Sequence, residues 1–170
     1  VPTVMAHCIH LSELEMDRMA ETQTMVSHCP FSNVNLSSGI APIRKLFERK
    51  IPIGLGSDIS GGHIVSMAKV LTEAIGLSKM KWVEVDQRYA PLTLSEAFYM
   101  ATKGGGAFFG KVGSFEKGCE LDALVIDDTA LFDPNERSLE ERLERWLYVG
   151  DDRHIVERYV AGKVAPEPTN

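Results

Sequence analysis

The sequence is poor in cysteine. Cys8, Cys29 and Cys119 are the only three in 170 residues, an odd count without a C-x-x-C pair. That weighs against a disulfide framework and points to reduced thiols in a cytoplasmic protein. Long hydrophobic runs are missing too: none approaches the ~20 residues that span a bilayer. No basic segment followed by an apolar one opens the chain, so no secretion signal is read. Positive charge is in deficit, 18 Lys and Arg against 24 Asp and Glu for a net −6, which gives no electrostatic reason to bind nucleic acid or an anionic membrane. Internal repeats and low-complexity segments are absent. What is there is an ordinary globular composition, 44% hydrophobic and 25% charged, at a one-domain length.

Short apolar runs end on polar, chemically able side chains. Val4-Met5-Ala6 ends at His7, Thr24-Met25-Val26 leads to His28, and Ile51-Pro52-Ile53-Gly54-Leu55-Gly56 ends at Ser57-Asp58. Helical patterns stand between them. Ser12 and Glu15 have capping-box spacing, and Leu14, Met16, Met19 and Ala20 share one side of a helix expected over residues 11–21. A polar loop is expected over 29–39, then a helix over 41–50 with Pro42 in its first turn and Ile43, Leu46 and Phe47 on one face. Strand, helix, strand, helix, strand predicts a parallel sheet with helices outside. A long helix is expected over 64–82. A second capping box, Thr93 with Glu96, predicts a helix over 94–103 that Gly104-Gly105-Gly106 stops. Residues 113–118 read as turns and 121–126 as a strand. Ser138 with Glu141 opens a charged helix through Trp146, and 155–161 reads as a strand before a turn at Gly162-Lys163. The Pro-rich tail, 165–170, reads as disordered.

Parallel α/β folds bind ligands at the carboxyl ends of their strands. Asp58 is therefore the first candidate: a carboxylate there can bind a metal or act as a base, or simply cap the following loop. His7 is the second: imidazole can ligate zinc or orient water, and the plainer alternative is a half-buried histidine with a satisfied hydrogen bond. His28 and Cys29 read more simply as strand-end residues that hold the next loop. The set His7, His10, His28 and Cys29 does not match a known zinc-finger spacing. His63, after a Gly-Gly pair, lines a pocket or is solvated; His154, among charges, reads as surface. Asn33 and Asn35 offer hydrogen bonds to a ligand or merely form turns. The Gly104-Gly105-Gly106 run lacks the Lys-Ser/Thr of a phosphate cradle, and the charged run 136–145 reads as a solvated helix face.

Several segments, in order, resemble the amidohydrolase superfamily in its branch of guanine deaminases and triazine hydrolases. Met5-Ala6-His7 is similar to that branch's A-H strand end, Ser27-His28-Cys29-Pro30-Phe31-Ser32-Asn33 to its H-C-P-x-S-N motif, and Gly54-Leu55-Gly56-Ser57-Asp58 to its G-L-G-[ST]-D. Gly113-Ser114-Phe115-Glu116-Lys117-Gly118 and Leu121-Asp122-Ala123-Leu124-Val125 resemble the return into a small β-sandwich. Leu147-Tyr148-Val149-Gly150-Asp151-Asp152-Arg153 and Val160-Ala161-Gly162-Lys163 resemble the closing segment of guanine deaminases in particular.

The resemblance implies the C-terminal part of a (β/α)8 barrel over residues 1–110, with strands six to eight ending at His7, His28 and Asp58. It implies a C-terminal segment, 111–170, with small β-sandwich strands and a helix. It gives Asp58 the roles of zinc ligand and proton acceptor, and His7 a place at the water, the substrate or the metal. Asn33 and His28 take places in the pocket wall. The implied reaction is zinc-dependent hydrolysis of guanine to xanthine and ammonia, with another aminoheterocycle as the alternative substrate. The implied assembly is a homo-oligomer, dimeric in the family. The family's strand-one H-x-H pair is missing here, as are its strand-five histidine with the glutamate three residues later and its purine-holding arginine. The chain alone is therefore expected to be inactive, with the other ligands of one zinc ion upstream. A contrasting expectation is a non-catalytic half that oligomerises through open sheet edges.

Overall fold

The computed structural model describes residues 1–131 and 133–166; most of the expected tail, residues 167–170, lies outside the described residues. Three strands, β1 (Val4–Ala6), β2 (Met25–His28) and β3 (Ile53–Leu55), form an all-parallel sheet in the order β1-β2-β3. Between β1 and β2 runs α1 (Glu13–Thr22). Its start is set as the spacing predicted: the Ser12 hydroxyl accepts from the Glu15 amide, and the Glu15 carboxylate accepts from the Ser12 amide at 2.7 Å. Met16 and Met19 are its buried face.

The polar stretch after β2 is not the expected loop. Residues Pro30–Asn35 form a short helix, α2, with Pro30 in its first turn, where the missing N–H costs nothing. It buries Pro30, Ser32 and Asn33. A helix that buries polar side chains carries no apolar periodicity, which is why pattern reading passes over it. Helix α3 (Ile43–Glu48) then buries Ile43 and Leu46.

Helix α4 (Met67–Glu84) turns Val70, Leu71, Ala74 and Ile75 inward. Helix α5 (Leu94–Tyr99) carries the predicted Thr93–Glu96 box. The three glycines beyond it do not stop the chain. A π-helical turn, Met100–Gly104, follows directly, and Gly105 and Gly106 stay helical. The glycines serve close approach instead. A Cβ on Gly54 of β3 would lie 2.8 Å from the Cα of Gly105, and one on Gly104 would lie 2.8 Å from the Ile53 carbonyl. The bidentate Arg44–Glu96 pair, at 2.6 and 2.8 Å, ties α3 to α5.

A second sheet is antiparallel, with β4 (Ala123–Ile126), β5 (Ile155–Val160) and β6 (Lys163–Val164) in that order. Helix α6 (Leu139–Val149) connects β4 to β5 and starts at the third predicted capping box, Ser138 with Glu141. Trp146 and Leu147 of α6 join the same core as Met16, Leu46, Ile53 and Leu71. Each fully buried aliphatic side chain there contributes about 1.5–3 kcal/mol. Lys69 of α4 donates to the Tyr148 carbonyl at 3.1 Å, which satisfies one of the free carbonyls at the end of α6. Among the described residues no helix is long and apolar enough to cross a membrane.

Candidate functional site

Strand pairing continues briefly past the carboxyl ends of the parallel sheet. The His7 amide donates to Ser27 O and the Gly56 amide to His28 O, both at 2.9 Å. The chain then turns sharply on residues with left-handed backbone: His7 at φ 67°, Cys8 at 49° and Asp58 at 47°. For residues other than glycine this conformation costs roughly 1–2 kcal/mol apiece. Such costs cluster where the geometry itself is required.

The turns bring His7 and Asp58 together across the end of β2. His7 Nε2 lies 3.8 Å from Asp58 Oδ2, with side chains 40% and 39% exposed. That gap is too wide for a direct hydrogen bond. On its other side the ring is held: His7 Nδ1 is 2.9 Å from Asn33 Oδ1. Asn33 itself is buried, so it faces His7 rather than open solvent. Asn35 donates from Nδ2 to the Gly61 carbonyl at 2.8 Å, latching the loop after Asp58 to α2. Gly61 fits there because it has no side chain. A Cβ would come within 2.7 Å of Ser32 Oγ and 2.8 Å of Asp58 Oδ2. His63 stacks edge-on against Phe31 with ring centres 4.9 Å apart.

The floor of the site is polar and unusually unsatisfied. His28 Nδ1, Ser32 Oγ and Asn33 Nδ2 are buried and make no hydrogen bond among the described residues. Burial, reinforced by electrostatic interaction with the neighbouring His7, lowers the His28 pKa to about 4, so the ring is neutral. Burial also raises the Cys8 and Cys29 thiols above their ordinary value, which keeps both protonated and poorly nucleophilic.

Carboxylate oxygen and imidazole nitrogen are donors that zinc accepts, so Asp58 and His7 have suitable chemistry. A catalytic zinc usually takes three protein ligands. Among the described residues no group of three or more His, Cys, Asp or Glu side chains could hold a metal ion. The residues fit part of a zinc shell. His10 is tied elsewhere in the chain, with its Nε2 2.9 Å from the Ser38 carbonyl. His154 is not the surface residue its charged neighbours suggested. Its side chain is only 12% exposed and pairs with Asp151 at 3.2 Å.

Of the candidates read from sequence, His7, Asp58 and Asn33 meet in one cluster, with His28 beneath. Ser32 and Gly61 were not singled out. Their only signal was position: one lies in the segment that leads to Asn33, the other three residues past Asp58. The segment 147–153 closes on itself. Arg153 pairs with Asp151, and Trp146 Nε1 donates to the Asp151 carbonyl at 3.4 Å.

A parallel sheet carrying a histidine and an aspartate at its strand ends, followed by a small antiparallel sheet, is an arrangement with close parallels. The profile of the amidohydrolase family matches residues 1–165, and the chain belongs to that family. Within it, the chain is 39% identical to the guanine deaminase of Dictyostelium discoideum over 167 residues, 94% of this chain and 37% of that protein. It is 53% identical to the crystal structure of guanine deaminase from C. acetobutylicum with guanine bound in the active site. That likeness has a TM-score of 0.92 and covers 96% of this chain and 39% of that one. An adenosine deaminase from Xanthomonas campestris with bound zinc is 27% identical at a TM-score of 0.78, covering 95% of this chain and 36% of that one. The chain thus spans less than two fifths of the length of these relatives.

Proposed function

We propose that the protein to which this chain belongs hydrolyses guanine to xanthine and ammonia with one zinc ion. The observation that carries this reading is the meeting of His7 and Asp58, 3.8 Å apart, at the carboxyl ends of parallel strands in an amidohydrolase chain. The similarity to guanine deaminases supports the substrate. In this reading β1, β2 and β3 are strands six to eight of a (β/α)8 barrel over residues 1–110. Residues 111–170 contribute strands and a helix to a small β-sandwich. The assembly is a cytoplasmic homodimer.

Asp58 holds the zinc and accepts a proton from the attacking water. His7, through Nε2, orients that water or a substituent of the purine ring. Gly61 keeps the space beside Asp58 open. Zinc, when bound, acidifies water and polarises the carbon under attack. Its remaining ligands come from outside this chain, because Asp58 and His7 are too few.

The test is guanine-to-xanthine turnover and zinc content of that protein, before and after Asp58→Asn. Turnover should vanish and zinc should be lost; an active Asp58→Asn enzyme overturns the assignment. Stoichiometric zinc on the isolated 170 residues would overturn the claim that other ligands lie elsewhere. The 27% identity to an adenosine deaminase supports a second reading, another aminopurine as substrate. A panel of guanine, adenosine and aminotriazines decides between them.

A further inference from the structure

We infer that Asn33 is a positioning residue that fixes the tautomer of His7, and so makes the His7–Asp58 gap a seat for a hydrogen-bond donor or a cation. The inference deepens the reading of His7 and Asp58 as one site and rests on it for its link to the reaction.

A neutral imidazole has one N–H and one lone pair. The amide oxygen of Asn33 can only accept, and it sits 2.9 Å from His7 Nδ1. The ring proton therefore belongs on Nδ1. Asn33 is well placed to enforce this. It is 1% exposed. Its backbone is pinned at both ends, the amide donating to the Cys29 carbonyl at 3.0 Å and the carbonyl accepting from Ser38 at 2.8 Å. Turning the amide over would aim the opposite tautomer's Nε2–H at Asp58 Oδ2 across 3.8 Å, too far for a hydrogen bond. It would also bury the amide oxygen without a donor in place of Nδ2.

With the proton on Nδ1, Nε2 presents a lone pair to the Asp58 carboxylate. Two acceptors 3.8 Å apart repel unless something electron-poor lies near both. The gap therefore favours an amino group, a water or a metal cation, and disfavours a bare carbonyl or an anion. In this role Asn33 acts through His7. This differs from the ligand-contact role that its place in a polar loop suggested. The orienting hydrogen bond on the ring's far nitrogen is the arrangement by which metal-site histidines are generally held.

The experiment reads the tautomer directly from the imidazole 15N resonances of His7 in the metal-free, 15N-histidine-labelled full chain. The spectra are recorded in alkaline buffer, so that the two neutral imidazole tautomers are compared. His7→Gln identifies the signals. The expected wild-type spectrum has a pyrrole-type Nδ1 and a pyridine-type Nε2. Asn33→Asp, which still accepts from Nδ1, should keep that pattern. Asn33→Leu should interchange the two resonances, since free imidazole side chains favour the Nε2–H form. A wild-type proton on Nε2, or an Asn33→Leu spectrum unchanged from wild type, overturns the inference. If Asn33→Leu does not fold, the wild-type and Asn33→Asp spectra decide alone. No turnover is read, so failure here is separable from failure of the guanine assay.

Discussion

At the carboxyl ends of β1–β3, unmet polar capacity and left-handed backbone meet. His7, Cys8 and Asp58 sit at positive φ there, His28 Nδ1, Ser32 Oγ and Asn33 Nδ2 are buried without a partner among the described residues, and the half-open His7–Asp58 pair stands above them. Around β4–β6 and α6, polar groups close on one another. Ser138 and Glu141 cap α6, Arg142 binds Asp128 at 2.7 Å, and Asp151 gathers Arg153, His154 and Trp146. The first region keeps its chemistry available at a cost in stability; the second spends its polar groups on holding shape.

The largest expected effect breaks the chemistry alone. Asp58→Asn should cut guanine turnover by about 10²–10⁴-fold or more. The thermal midpoint of the metal-free protein should hardly move, because asparagine also tolerates the left-handed backbone at this position. Leu147→Ala should do the reverse. It removes a side chain that is 2% exposed and should cost about 2–5 kcal/mol in urea titration.

Acid should strike the first region. The His28 pKa falls from 6.5 to about 4 on folding, so the unfolded chain binds the extra proton first. Stability from this group is complete above pH 6.5 and fades as pH drops toward 4, by on the order of 3 kcal/mol. His28→Gln should flatten that part of a stability–pH curve. Gly61→Ala should place a methyl group against Ser32 Oγ and Asp58 Oδ2. The cost is about 1–3 kcal/mol, with turnover falling further than stability explains. Ser138→Ala should be the mildest, about 1 kcal/mol from the lost cap of α6, with turnover intact.

Much of this was legible in sequence because it is local. All three capping boxes, Ser12–Glu15, Thr93–Glu96 and Ser138–Glu141, form where their spacing placed them. So do the three strands that lead to His7, His28 and Asp58. Helix α2 was not legible, because its inward residues are Ser32 and Asn33 rather than an apolar stripe. The same helix carries Asn33 to His7, a contact 26 residues apart in sequence. No spacing rule announces such a contact. The helical run through Gly104-Gly105-Gly106 was misread for a related reason. Glycine stops helices in isolation, and here a neighbouring backbone demanded it.

Gly54 and Gly105 put backbone directly against backbone, with no side chain as spacer. The two positions differ in tolerance. An added Cβ at 54 meets the Cα of Gly105 and the methyl of Met25, both at 2.8 Å, while one at 105 meets the Met100 carbonyl at 3.1 Å and the Cα of Gly54 at 3.8 Å. Saturation mutagenesis should therefore return almost nothing at 54 and tolerate alanine or serine at 105. The separation of β3 from the segment behind it works as a fixed gauge, set by main-chain atoms alone. Asp58 follows four residues after Gly54, so the chain leaves for the site from a strand whose spacing side chains do not set.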